Sequence, residues 1–153
     1  MKIVIGNDHA AVEMKKDIIS YLEGKGYEMI DVGTDNPNKF EFPISAYKAS
    51  QVLLRGDADC GILICGTGVG IGIAANKIKG IRCCICSEPF TARLSKQHNN
   101  SNMIAFGARV IGIEMAKMIV DEWLNAEYMG GHHQARIDMI TELEETGKLA
   151  GIE

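Results

Sequence analysis

The chain has 153 residues, a formal net charge of -4, 46% hydrophobic residues and 24% charged ones, which suits one domain able to bury its own core. Seventeen Gly against three Pro, with no collagen period or low-complexity run, point to tight loops where backbone approaches a ligand or other backbone. Disorder, fibres and small disulfide-stapled scaffolds are excluded, and without a basic stripe or Lys/Arg block extended nucleic-acid binding has no electrostatic support.

Apolar runs alternate with amphipathic stretches along the chain. Lys2 to Gly6 reads as a strand that begins at once, without the apolar core or cleavage site of a signal peptide, so a cytoplasmic protein is expected. Ala10 to Leu22 has the spacing of a helix and Tyr27 to Val32 that of a second strand. The turn residues Asp35-Asn36-Pro37-Asn38 precede Phe42-Pro43, which opens a helix to about Leu54. Strand three is Gly61 to Cys65. A Gly-rich segment leads into a helix around Gly70 to Lys77, strand four is Ile81 to Cys86, and its helix runs from about Pro89 to Gln97. Asn102 to Phe106 makes strand five, followed by helices over Ile113 to Ala126 and about His133 to Glu145.

Strands this apolar, separated by helices, predict a Rossmann-like α/β fold: a three-layer α/β/α sandwich on a five-stranded parallel sheet, forming a single domain over 1–153. The uncharged stretch Cys60 to Asn76 contains too many glycines for a membrane helix, so no membrane partner is expected. Five Cys without a C-x-x-C pair, two of them neighbours on opposite faces of a strand, give no convergent ligand set; no metal and no cofactor are expected. Cys60, Cys83, Cys84 and Cys86 read as small buried hydrophobes, leaving Cys65 apart.

In open α/β sheets ligands bind beyond the carboxyl ends of the strands, and that rule selects the candidate residues. Asn7-Asp8-His9 follows strand one and Cys65-Gly66-Thr67-Gly68-Val69-Gly70 follows strand three; His98-Asn99-Asn100 is read as following helix four, and His132-His133 with Arg136 opens the last helix. All four His of the chain are thereby expected on the ligand edge. Gly66 to Gly70 reads as a nest of backbone N–H groups for an oxyanion, with Cys65 at its mouth, where a helix N-terminus would favour the thiolate, and Thr67 within proton-transfer reach. A dinucleotide reading rests on Gly70-Ile71-Gly72-Ile73-Ala74-Ala75 as G-x-G-x-x-A, although it lies beyond the strand end. Asp8 also suits a helix N-cap, and Arg109 and Arg136 suit solvated cations. A thiol base, a hydroxyl, a nest, several His and an Arg together suggest a phosphorylated, hydroxyl-rich substrate.

On these residues the chain resembles the ribose-5-phosphate isomerase B and galactose-6-phosphate isomerase group. The matching stretches are Gly6-x-Asp8-His9, Ile30-Asp31-x-Gly33-Thr34, Ile64 to Ile71, Ala74-Ala75-Asn76-Lys77, Gly80-Ile81-Arg82, Cys86-Ser87-Glu88, His98-Asn99 and Gly130-Gly131, in order along nearly the whole chain.

The resemblance implies interconversion of ribose 5-phosphate and ribulose 5-phosphate without a metal, in a homodimer or tetramer. By it Cys65 moves the proton between C1 and C2, His98 assists ring opening, and Thr67 helps move protons between the oxygens. Asp8, His9, Gly66, Gly68, Val69, Gly70, Asn99, Arg109, His132 and Arg136 would contact substrate. The resemblance also implies that His98, Asn99 and Arg109 come from the partner chain and that the C-terminal helix packs on it. Two departures bear on substrate preference: Gly130-Gly131-His132-His133 replaces the usual Gly-Gly-Arg-His, and Glu41-Phe42-Pro43 replaces Asp-Tyr-Pro. The alternatives are a galactose 6-phosphate or allose 6-phosphate isomerase and a non-catalytic phosphosugar-binding module.

Overall fold

Residues 1–152 are described in a computed structural model of the chain. The apolar runs become strands because they are buried on both faces: β1 (Lys2–Asn7) is sealed from Ile3 onward and β3 (Cys60–Cys65) along its whole length. β2 (Glu28–Asp31) is a half-exposed edge strand, β4 (Cys83–Ile85) is the other edge, and β5 (Met103–Gly107) is buried throughout. The order is β2-β1-β3-β5-β4, with every pair parallel.

Helices cover both faces. A 3-10 turn (His9–Ala11) leads into α1 (Val12–Gly24), which with α4 (Pro89–Asn99) and α5 (Ile113–Leu124) covers a core of Ile5, Ile18, Ile62, Phe106, Ile119 and Trp123. α2 (Phe42–Leu54) and α3 (Val69–Asn76) cover the opposite core of Val4, Ala49, Leu63, Ile71 and Met103. Proline sits in the first turn of α2 and of α4, where its missing N–H costs nothing, and Glu88 caps α4 by accepting from Thr91 N–H at 2.8 Å. α6 (His132–Thr146) lies against the β4 side and buries only His133 and Ile137. No helix among the described residues is long and apolar enough to cross a membrane.

Most expected boundaries move by one or two residues, and at two of them the contacts show why. Strand four begins at Cys83 because the Asn102 side chain, not a ladder partner, accepts the Arg82 N–H, at 2.8 Å. Helix four continues through His98 and Asn99 and ends on Asn100 in the left-handed region, at φ 46.

From β1 the chain moves outward to β2, and from β3 it moves the other way, so the order reverses between β1 and β3. The ends of those two strands lie side by side, with Asn7 opposite Ile64 and the Asp8 N–H donating to Ile64 O at 3.1 Å. A ligand crevice in an open parallel sheet belongs at such a reversal.

Candidate active site

Buried Asn7 builds the floor of that crevice. Its Nδ2 donates to Asp8 O and Thr34 O at 2.8 and 3.0 Å, its Oδ1 accepts from Thr34 N–H at 2.9 Å, and its carbonyl accepts from Ser45 Oγ at 2.7 Å. Asn7 thereby ties β1 to the segment after β2 and to α2. Lys15, almost sealed from solvent, pulls the same segment in by pairing with Asp31 at 2.7 Å and Asp35 at 2.8 Å. Burial alone would lower the Lys15 pKa, but hydrogen bonds to the two carboxylates outweigh it and raise the value.

Asp8 is buried and caps the 3-10 turn, accepting from Ala10 N–H at 2.9 Å through one carboxylate oxygen. The cap reading therefore holds for Oδ1, and Oδ2 is left for other work. His9 Nδ1 lies 3.2 Å from the Phe40 backbone nitrogen and 3.3 Å from its carbonyl oxygen, which anchors the ring to the segment before α2 and leaves Nε2 uncommitted.

Cys65 ends β3 and is 5% exposed, and the Gly68 N–H donates to its Sγ at 3.1 Å. Gly68 has φ 81, and a Cβ there would stand 2.7 Å from the Phe106 backbone, so only glycine lets the chain turn under the thiol. Among the described residues the backbone N–H groups of Gly66, Thr67, Gly70 and Ile71 have no partner within the chain. They form the donor nest at the start of α3. Thr67 is exposed and its Oγ1 accepts from Val69 N–H at 3.3 Å. Phe42 lies so close over Gly70 that a Cβ there would come within 2.9 Å of the ring. The stretch Gly70 to Ala75 lies inside α3 and not in a strand-to-helix turn, which removes the geometric basis for wrapping a pyrophosphate.

Arg109 corrects an expectation. Its backbone N–H donates to Gly66 O at 3.0 Å, and its side chain runs along Gly66 of the same chain. Within the chain it therefore lies beside the Cys65 turn, where the resemblance had implied a residue supplied by a partner. Cys84 corrects another: it is half-buried, not sealed, and hydrogen bonds to its thiolate from Cys86, then Ser95, set against burial, bring its pKa down to about 7. Burial pushes Cys60 up to about 12, as expected of an inert core thiol.

The other candidates lie elsewhere. α4 returns antiparallel to the strands, so His98 and Asn99 arrive beside the start of β5, whereas Cys65 pairs with Gly107 at its end. Four strand residues separate those levels, about 13 Å at 3.3 Å per residue. The expectation that all four His share the ligand edge fails for three of them. His133 stacks on His98 with ring centroids 4.4 Å apart and planes 9° from parallel, and the His132 ring lies 4.0 Å from that of His133. His132, Arg136 and Asn99 are exposed, and among the described residues neither Arg109 nor Arg136 has a carboxylate partner. The chain therefore presents two separate groups, one with a thiol, a nest, His9 and Arg109, the other with imidazoles, Asn99 and Arg136.

A cavity of about 750 Å³ lies near the second group, under α6, with walls that include Ile81, Cys84, Leu94, Asn99 and Leu143. α6 leaves Met139, Ile140 and Leu143 largely exposed. Unpaired cations, exposed amide groups and an anion nest suit a phosphorylated polyol, and a thiol beside donors suits proton abstraction next to a carbonyl.

Comparison with known proteins agrees with that chemistry. Residues 3–140 match the model of the Ribose/Galactose Isomerase family. Ribose-5-phosphate isomerase B of Escherichia coli is 51% identical over 144 residues, 94% of this chain and 97% of the relative. The ribose-5-phosphate isomerase B structure of Clostridium thermocellum superposes with a TM-score of 0.94 at 44% identity, covering 97% of this chain and all of that one. A Mycoplasma genitalium ribose-5-phosphate isomerase B, solved with bound ribulose 5-phosphate, has a TM-score of 0.89 at 37% identity over 95% of this chain and 97% of its own.

Proposed function

The chain belongs to the ribose/galactose isomerase family, and from that premise we propose that it interconverts ribose 5-phosphate and ribulose 5-phosphate through an enediolate. The observation that carries the reading is the Cys65 thiol held at the mouth of a nest of unpartnered backbone N–H groups. Removing a proton from carbon beside a carbonyl places charge on oxygen, and preorganised N–H donors stabilise that charge without reorganising. Cys65 takes the proton from one carbon and returns it to its neighbour, while Thr67 moves protons between the two oxygens. Gly66, Gly68, Val69 and Gly70 supply the turn and its donors; Asp8, with one oxygen committed to its cap, accepts from a substrate hydroxyl. Burial of the thiol at 5% exposure keeps bulk water from the enediolate.

Ribose 5-phosphate exists mainly as a furanose and must open first. His98 is the acid and base for that step in this reading, and about 13 Å of sheet separates it from Cys65 in its own protomer. A second copy of the chain completes the site: its His98, Asn99, His132 and Arg136 face the first copy's Cys65, His9 and Arg109. The phosphate then lies between His9 and Arg109 on one side and His132 and Arg136 on the other. The uncovered apolar residues of α6 supply the contact, which makes 1–153 one domain that works as a dimer or tetramer. Five free thiols fit a reducing cytoplasm.

The test follows ribose 5-phosphate by NMR in deuterated water. Wild-type protein should form ribulose 5-phosphate and Cys65→Ala should lose about 10²- to 10⁴-fold in kcat, the range for a general base. No ketose from the wild type, or an undiminished rate in the variant, would contradict the reading.

A further inference from the structure

We infer that His133 is a positioning residue, whose buried ring fixes the imidazole of His98 in the orientation that opens the sugar ring; the inference rests on the reading of His98 given above. His98 stands in the last turn of α4, just before Asn100 leaves the helix with φ 46. Helix ends fray, and a side chain there has rotamers to choose from. The parallel stack at 4.4 Å and 9° limits that choice, because the ring on which His98 lies is itself buried.

The backbone delivers His133 to that place from a different element. Met129 N–H donates to Gln97 O at 3.0 Å, pinning the incoming chain to the end of α4. Gly130 and Gly131, at φ 61 and 58, then reverse it, and His133 N–H closes the turn on Gly130 O at 3.1 Å. The groups facing His133 are His132 and Arg136 from α6 and His98 from α4. Burial first, then these three neighbours, lower its pKa, so it presents a neutral face to His98. A charged ring in the same stack would repel an imidazolium formed on His98 during ring opening.

A merely structural residue would weaken every step alike, whereas a residue that aims the ring-opening group should affect only reactions that need ring opening. Ribulose 5-phosphate provides the contrast, because its phosphorylated O5 leaves it an open chain. His133→Ala should lower kcat on ribose 5-phosphate about 10-fold with KM changed less than about 2-fold, and leave exchange of the ribulose 5-phosphate C1 proton with deuterated solvent within about 2-fold of wild type. His133→Phe, which keeps a flat ring in the stack, should restore most of the turnover. Equal loss in both assays for His133→Ala, or no loss in either, would overturn the inference, as would a Phe variant as slow as the Ala variant. His98→Ala separates the two claims: without a split between the assays the reading of His98 fails, and a split there but not in His133→Ala overturns the role of His133 alone.

Discussion

The two ends of the sheet show two ways of holding functional groups. At the end that carries Cys65, the elements are braced by buried polar contacts: Asn7 joins three segments, Lys15 ties one of them to α1, and glycine backbone fits under the thiol with no room to spare. At the other end, His98, His132 and His133 meet through a few ring contacts and one backbone bond between the segment before α6 and α4, and two of the three keep appreciable exposure. The first end is rigid enough to stabilise an enediolate within its own chain. The second joins only two elements of its own chain, as suits a surface that a second copy would complete.

Gly68→Ala attacks the rigid end directly. The φ of 81 and the 2.7 Å approach to Phe106 leave no place for a methyl group. Disturbing the nest should lower kcat about 100-fold, in line with loss of an oxyanion donor. Stability should fall by about 1–3 kcal/mol, the cost of a strained backbone position. Steady-state kinetics and chemical denaturation check both, and a fully active variant would mean that the turn does not shape the site.

His132→Arg sharpens the loose end. A guanidinium offers a planar fork and keeps its charge at every working pH, which an imidazole does not. KM for ribose 5-phosphate should fall about 5-fold near neutral pH. An unchanged or higher KM would show that His132 does not face the phosphate.

Acid should loosen the two ends at different pH. The folded-state pKa of His133 lies below the ordinary 6.5, so the unfolded chain takes up that proton first. Stability is complete above pH 6.5 and declines as the pH falls from there through the folded value. Asp35, held below its ordinary 3.8 by hydrogen bonding and then by the charge of Lys15, stabilises the rigid end above pH 3.8, and that stability is lost as the pH falls through its own folded value. Thermal melting of His133→Phe should lack the earlier decline and Asp35→Asn the later one. Melting curves with unaltered pH dependence in the variants would contradict the assignment.

Most of the rigid end was legible in the sequence. Continuous apolar runs specify parallel strands, and the ends of β1 and β3 then place Asp8, His9 and Cys65 together. The sequence was misleading wherever a long-range contact decides. Strand four loses its first residues to the Asn102 side chain, and Asn7 carries no motif that marks it as a node. A count of loop positions puts the His cluster at the wrong edge, because it ignores that α4 carries its last turn back across the sheet. The stack of His98 on His133 joins residues far apart in sequence, and no periodicity records it.

The central claim is that each working site takes Cys65 from one copy of the chain and His98 from another. Mixing settles it most directly: Cys65→Ala and His98→Ala proteins, each nearly inactive, are unfolded together, refolded and assayed with ribose 5-phosphate. A mixed dimer has one site with both defects and one with neither, so random pairing should recover about 25% of wild-type activity. Activity no greater than the sum of the two parents, in a sample shown to contain mixed dimers, would contradict the shared site.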